Sequence, residues 1–136
     1  MKLIDFIVCD DIRTEINNKV SIIGVYDDTI NFIVPESAAG AWPKILKLGI
    51  YIRLALENIE EHNNIKKLLI DFTIDNEKII HAEQTMNLNI QEFSLIKRLA
   101  ISVVFNHIQI PRTGDMEISL SVLDNNDKLI QKVCYP

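Results

Sequence analysis

The chain has 136 residues, of which 48% are hydrophobic and 24% are charged, and its net charge is −5. This length suits one domain spanning residues 1–136, and the composition excludes wholesale disorder. The four glycines and four prolines are too few for a collagen-like or low-complexity sequence. The basic residues are scattered, and the longest basic runs are pairs, so we predict no nucleic-acid partner.

The amino-terminal apolar stretch is too short and too interrupted by charge to be a signal peptide or a membrane span. We therefore expect no membrane partner and a cytoplasmic location. Cys9 and Cys134 lie near opposite ends and form no CxxC pair, so both are expected to be reduced. A Cys9–Cys134 contact stays open, because the terminal strands of a sandwich can be neighbours.

Apolar residues recur mainly with a period of two, which predicts antiparallel β-structure. The first strand begins near Leu3, Asn17-Asn18 forms a two-residue turn, and the return strand runs from Lys19 to Tyr26. In this register Asp10 pairs with Val25. One core face then carries seven apolar residues: Ile4, Phe6, Val8, Ile12, Ile16, Ile23 and Val25. Asp10 falls on that face too, so it needs a hydrogen bond, an ion pair or a bulge.

The next segments are a further β-stretch and a small-residue segment. The β-character continues over Thr29–Ile33 and ends at Pro35, and residues 36–43 form one helical turn or a loop. We expect Trp42-Pro43 to fold back onto the core.

The clearest strand is Ile45–Leu56. Its six alternating aliphatic residues face inward, whereas Tyr51 and Arg53 face outward.

The pattern in the second half of the chain predicts two more hairpins and a less regular region. Lys67–Asp75 and Glu77–Ala82 flank a tight turn at Asp75-Asn76, and Ala100–Ile110 is another strand. Met116–Val122 and Lys128–Tyr135 flank a turn at Asp124–Asp127. The remaining predictions are a polar turn at Asn58–Asn64, a weak strand at Thr85–Ile90, and a short helix or loop at Glu92–Arg98.

Eight or nine short strands with regular turns predict an all-β fold. An antiparallel β-sandwich of immunoglobulin-like or related Greek-key type fits best, and a closed barrel is the alternative.

The chain has no recognisable catalytic set. It lacks a GxSxG motif, and Asp10-Asp11 disfavour a thiolate at Cys9. The three histidines, His62, His81 and His107, lack metal-ligand spacing. We therefore predict no enzyme activity, no cofactor and no metal site.

The charged residues of the opening hairpin form the candidate interaction patch. Arg13 disfavours calcium there, so we expect it to pair with Asp11, Glu15 or a partner's carboxylate. We expect Tyr26 on the outer face of the opening hairpin, and tyrosine and arginine are enriched at interfaces. The patch comprises Asp10, Asp11, Arg13, Glu15, Tyr26, Asp27 and Asp28.

From this patch we predict a non-enzymatic interaction module or structural accessory protein. It would bind a protein partner or associate with itself as a homodimer. The alternative is a metal- or small-ligand-binding β domain that uses the acids of the hairpin.

The opening run CDDIRTEINNKVSIIGVYDDTI resembles the signature of a family of small, uncharacterised bacterial and phage- or prophage-associated proteins. The matching residues, which lie within the first thirty or so, are Cys9, Asp10, Arg13, Glu15, Lys19, Gly24 and Tyr26. The resemblance implies a cytoplasmic β domain and does not imply any activity.

Overall fold

A computed structural model describes residues 1–57, 65–85 and 97–135 of the chain. The described residues form eight strands in two four-stranded antiparallel sheets, which confirms the predicted β-sandwich. The strands are β1 (Lys2–Thr14), β2 (Val20–Val25), β3 (Lys44–Leu56), β4 (Lys67–Ile74), β5 (Glu77–Thr85), β6 (Lys97–Ile110), β7 (Met116–Leu123) and β8 (Leu129–Tyr135).

The strand order is that of an immunoglobulin-like Greek key with two additions. One sheet has the order β2-β1-β3-β6, and the other has the order β5-β4-β7-β8. The strands β1-β3-β6 and β4-β7-β8 reproduce the A-B-E and C-F-G orders of immunoglobulin-type sandwiches. Strand β5 extends the second sheet beside β4, and the opening hairpin adds β2 at the free edge of β1.

Strand β3 forms the centre of the core. It is hydrogen-bonded to β1 on one side and to β6 on the other. All six inward aliphatic residues predicted for it are at most 7% exposed, and β4 and β7 contribute the facing layer. Burial of each such side chain is worth about 1.5–3 kcal/mol. The facing residues are Leu68, Ile70, Phe72, Ile74, Ile118, Leu120 and Val122.

The tight turn that the sequence predicts at Asp75-Asn76 is present. Both residues have positive φ, +48° and +66°, as a two-residue type I′ turn requires. The β4–β5 hairpin that follows from it is present.

The turn of the opening hairpin is one residue longer than predicted. Residues Ile16–Asn18 form a 3₁₀ turn in which Asn17 has φ +65°, and the Glu15 N–H donates to the Lys19 carbonyl at 2.7 Å. Asp11 therefore lies opposite Ile23 and not opposite residue 24. Because side chains alternate with a period of two, this one-residue shift reverses the faces of β2.

The predicted core face of the opening hairpin is therefore partly wrong. Phe6 and Val8 face the core, but a bulge between Leu3 and Asp5 takes Ile4 out of the alternation. Four members of the predicted face are exposed: Ile4 (37%), Ile16 (84%), Ile23 (40%) and Val25 (60%).

The segment from Tyr26 to Pro43 crosses one end of the sandwich without forming a strand. The strand predicted at Thr29–Ile33 is absent, and the only regular element is a 3₁₀ turn at Glu36–Ala38. As predicted, Trp42 folds back onto the core, where its ring meets the Phe32 ring edge-on at a centroid distance of 6.0 Å. A β-strand needs a hydrogen-bonded neighbour along its length. Beyond the bond from the Tyr26 N–H to the Val8 carbonyl, this segment makes no backbone hydrogen bond to a strand among the described residues.

Two predicted regions fall partly or wholly outside the described residues. The polar turn at Asn58–Asn64 lies outside them. Of the region Glu83–Arg98, β5 extends to Thr85 and β6 begins at Lys97, and residues 86–96 lie outside. The weak strand and most of the short helix or loop predicted there fall on residues 86–96.

Candidate functional site

Asp10 and Tyr26, two residues of the predicted patch, contact each other. The Tyr26 hydroxyl donates a hydrogen bond to the Asp10 carboxylate. Burial, together with that hydrogen bond, raises the pKa of Tyr26 to about 12. The phenol is therefore protonated at neutral pH and acts as a donor. The conflict predicted at Asp10 is resolved by Tyr26, and Asp10 itself is exposed.

Gly24 makes this contact possible. Its φ is +67°, and a Cβ at this position would lie 2.9 Å from Asp10 Cγ. Glycine is the residue that tolerates both the left-handed backbone and the close approach. Because the observed register places Gly24 and Tyr26 on the Asp10 side of the hairpin, Tyr26 packs against the core and not on the predicted outer face.

Asp11 is the centre of a small ion-pair network on the outer face of the same sheet. Lys47 Nζ lies 3.2 Å from one carboxylate oxygen, and Arg13 Nε lies 3.5 Å from the other. The hydrogen bond from Lys47, with lesser help from the Ile12 N–H and Arg13, lowers the pKa of Asp11. The predicted pairing of Arg13 with Asp11 is confirmed, and Lys47 is an additional member that the sequence analysis missed.

The remaining acids of the patch lie apart from this network. Glu15 accepts a cross-strand hydrogen bond from Ser21 Oγ at 3.0 Å. Asp27 and Asp28 are exposed, and among the described residues their carboxylates have no partner. The patch is thus not one cluster, because its members are distributed over four local environments.

Cys9 is fully buried and serves as a small apolar filler. A Cβ at Gly49, on the neighbouring strand β3, would lie 2.8 Å from Cys9 Sγ, so glycine provides the room for the thiol. Burial raises the pKa of Cys9, and the charges of Asp10 and Asp11 act in the same direction. Both cysteines are free, and Cys134 is exposed on β8.

The opening hairpin carries an exposed apolar edge, which we call the β2 edge (Val20–Val25). Strand β2 lies at the margin of its sheet and contains no charged residue. Val20, Ile23 and Val25 are 37%, 40% and 60% exposed. Half of the ten large hydrophobic residues that are exposed among the described residues belong to the opening hairpin.

A cavity of about 490 Å³, which we call the end pocket, opens at the end of the sandwich beneath residues 28–32. Its floor comes from both sheets, and its volume lies within the range of small-molecule sites. The floor residues are Leu46, Phe72, Ile74, Ile110 and Met116, and Phe32 and Trp42 form an aromatic wall.

Polar residues surround the mouth of the end pocket. Arg112 lies there but is bonded to Glu77 at 2.7 Å and lies 3.7 Å from Asp75. The hydrogen bond and charge of Glu77 raise the pKa of Arg112 further. Asp28 and Asp115 also line the pocket, and neither carboxylate has a partner among the described residues.

Of the candidate residues predicted from the sequence, only Asp28 lines the end pocket. The other lining residues come from five separate segments of the chain, and no motif joins them. One prediction concerned this region, namely that Trp42-Pro43 folds back onto the core.

No helix in the described residues is long and apolar enough to cross a membrane. They also contain no group of three or more His, Cys, Asp or Glu side chains placed to hold a metal ion.

The strand order, the β2 edge and the end pocket define an immunoglobulin-like β-sandwich with two distinct surface features. Residues 4–131 match a family of unknown function (DUF6941), and the chain belongs to this family. The match confirms the predicted membership of an uncharacterised family and extends it well beyond the first thirty residues. No curated protein and no solved structure matches the chain.

Proposed function

We propose that the protein is a non-enzymatic interaction module that associates with a second copy of itself through the β2 edge. The observation that carries this proposal is the uncharged strand Val20–Val25, which lies at a sheet margin with Ile23 and Val25 40% and 60% exposed. A margin strand offers unpaired backbone N–H and C=O groups to another strand. Its apolar side chains add area that association would remove from water.

A comparison of the four margin strands supports β2 as the contact. Strand β5 is rich in charged residues, and β8 contains Lys132, which are common protections against edge pairing. Strand β6 has an uncharged centre like that of β2, but no large hydrophobic residue of β6 is exposed. Only β2 combines an uncharged margin with exposed apolar side chains in its centre.

The charges at the two ends of β2 favour a second copy as the partner. Lys19 precedes the strand, and Asp27-Asp28 follow it closely. An antiparallel pairing of two β2 strands about their midpoint brings Lys19 of one copy toward Asp27-Asp28 of the other. The arrangement is therefore self-complementary in charge, and the carboxylate of Asp27, which has no partner among the described residues, gains one.

The first experiment measures solution mass by analytical ultracentrifugation over a wide concentration range. We expect the wild type to approach twice the chain mass, and Val25→Lys to weaken association about tenfold or more, because it places a charge in the pairing edge. Leu129→Lys is the matched control, since Leu129 is 52% exposed but lies on β8, and it should dimerise like the wild type. A wild type that stays monomeric at high micromolar concentration would refute the proposal.

A charge exchange tests the antiparallel arrangement itself. Lys19→Glu should weaken association, because it places an acid against Asp27-Asp28 of the second copy, and the effect should shrink at high salt. Adding Asp27→Lys should recover part of the association, because it places a positive charge near the acid introduced at position 19 of the second copy. A double variant no tighter than Lys19→Glu alone would refute this arrangement.

We further propose a cytoplasmic location and an accessory role in a bacterium or prophage. The exposed free thiol of Cys134 supports a reducing compartment, and the opening motif supports the bacterial or phage source. The alternative role, binding of a small ligand by acids of the hairpin, is supported at one residue, Asp28, because Asp28 lines the end pocket.

A further inference from the structure

We infer that the end pocket binds a small organic cation with an aromatic or apolar body. The pocket shares Asp28 with the segment that follows β2, but its floor, its aromatic wall and Asp115 lie outside the self-association contact proposed above. Its volume of about 490 Å³ is that of a small-molecule site, and its floor and wall are apolar. The ligand class follows from the combination of this floor with the charge at the mouth.

The floor would accept the apolar body of the ligand. Leu46, Phe72, Ile74 and Ile110 are between 1% and 7% exposed, so they are fixed by the core and hold the shape of the cavity. Phe32 and Trp42 stand edge-to-face with ring centroids 6.0 Å apart. An aromatic or aliphatic group placed here would contact preformed apolar surface and would displace water from it.

The Trp42 wall is held in place by Lys44. Lys44 Nζ lies 4.0 Å from the centre of the Trp42 ring and donates to the carbonyls of Ala39 and Ala41 at 3.1 and 2.9 Å. These contacts tie the loop before β3 to the aromatic wall. The wall is thus built before a ligand arrives, which lowers the ordering cost of binding.

The mouth of the pocket would select a cation. Arg112 is already paired with Glu77 and Asp75, so its charge is compensated inside the protein. Asp28 and Asp115 line the same cavity, and their carboxylates have no partner among the described residues. The described lining thus carries two acids against one arginine, a net charge of −1, and that arginine is also bonded to Glu77 outside the lining. An ammonium group would be attracted, and a carboxylate repelled.

The experiment uses three probes with nearly the same body: 2-phenylethylammonium, 2-phenylethanol and 3-phenylpropionate. Trp42 is the one tryptophan of the chain, so its fluorescence reports directly on the wall of the pocket. N-acetyltryptophanamide, titrated in parallel, corrects for collisional quenching. Calorimetry provides a second reading that does not depend on the tryptophan.

We expect saturable binding of the ammonium probe, about tenfold tighter than that of the carboxylate probe and with the alcohol between them. Asp28→Asn and Asp115→Asn should each weaken binding of the ammonium probe about two- to fivefold and leave the affinity for the alcohol unchanged. Asp27→Asn is the matched control, because Asp27 is adjacent in sequence but does not line the pocket.

Three results would overturn the inference. The first is the absence of saturable binding for all three probes. The second is a carboxylate or alcohol probe that binds as tightly as the ammonium probe. The third is an equal effect of Asp27→Asn and Asp28→Asn. Val25→Lys, which is designed to stay monomeric, should bind the ammonium probe like the wild type, so failure of one proposal is separable from failure of the other.

Discussion

Gly24 shows how one residue fixes the geometry of the opening hairpin. Its left-handed backbone is a conformation that other residues adopt at a cost of roughly 1–2 kcal/mol. Its missing side chain leaves space for the Asp10 carboxylate, which accepts the Tyr26 hydroxyl. The spacing Asp10, Gly24, Tyr26 is visible in the sequence, but its meaning depends on a register that the sequence did not determine.

Replacement of Gly24 by alanine should destabilise the protein by roughly 1–3 kcal/mol, from the left-handed backbone and the contact with Asp10. The measurement is urea unfolding followed by circular dichroism. Gly40→Ala is the matched control, because a Cβ at Gly40 meets no atom within 4 Å. The interpretation fails if the two alanine variants have the same free energy of unfolding.

At the level of elements, the strength of the alternation decides how well the sequence predicts a strand. Strands β3, β4 and β7 have uninterrupted inward aliphatic residues, and their extents and faces are as predicted. The faces predicted for the opening hairpin are partly wrong, because an extra turn residue and a bulge at Ile4 each shift the alternation of its side chains. Either change is small in sequence, yet each reverses which side chains meet the core.

The β4–β5 hairpin carries a cross-strand charge cluster on its outer face. The Asp71 carboxylate accepts a hydrogen bond from His81 Nδ1 at 2.6 Å and lies 3.2 Å from Lys78 Nζ. Burial acts to raise the pKa of Asp71, but the hydrogen bonds and charges of His81 and Lys78 outweigh it, so the pKa is lowered. The ionised carboxylate therefore stabilises the folded state.

The sign of the pH effect follows from this shift. A carboxyl whose pKa is lower in the folded state contributes stability above its unfolded pKa of about 3.9 and loses it as the pH falls through the folded value. Asp71→Asn should lower the free energy of unfolding by up to about 1 kcal/mol at neutral pH. At pH ~2 the variant and the wild type should be equally stable. Urea unfolding across this range measures the difference. Glu36→Gln, with no ion pair among the described residues, should show no such pH dependence, and a constant difference for Asp71→Asn would contradict the account.

At the level of the whole molecule, the fold class could be predicted from the sequence and the end pocket could not. Periodicity is local, so eight strands and two sheets follow from short stretches of chain. The pocket is assembled from Asp28–Phe32, Trp42, both sheets and the turn at Arg112–Asp115. Its existence depends on where the two sheets separate at their ends, and no short stretch encodes that distance.

Tyr135 joins the two sheets at the edge where the chain ends. Its hydroxyl donates to the backbone carbonyls of Tyr26, at 3.2 Å, and of Asp27, and its ring lies 5.6 Å from the Phe6 ring. Strand β8 of one sheet thereby holds the segment that leaves β2 of the other. The contact spans more than a hundred residues of sequence, so it forms only when both sheets are in place.

Removal of this hydroxyl should weaken the junction without disturbing the packing. Tyr135→Phe keeps the ring contact with Phe6 and should lower the free energy of unfolding by about 1 kcal/mol. It should also speed hydrogen exchange of the Tyr26 N–H, which donates to the Val8 carbonyl at 2.9 Å. Tyr51→Phe is the matched control, since the Tyr51 hydroxyl has no hydrogen-bond partner in the part of the chain that the structure describes. Equal stability and equal Tyr26 exchange in the two variants would show that the sheets are held together by core packing alone.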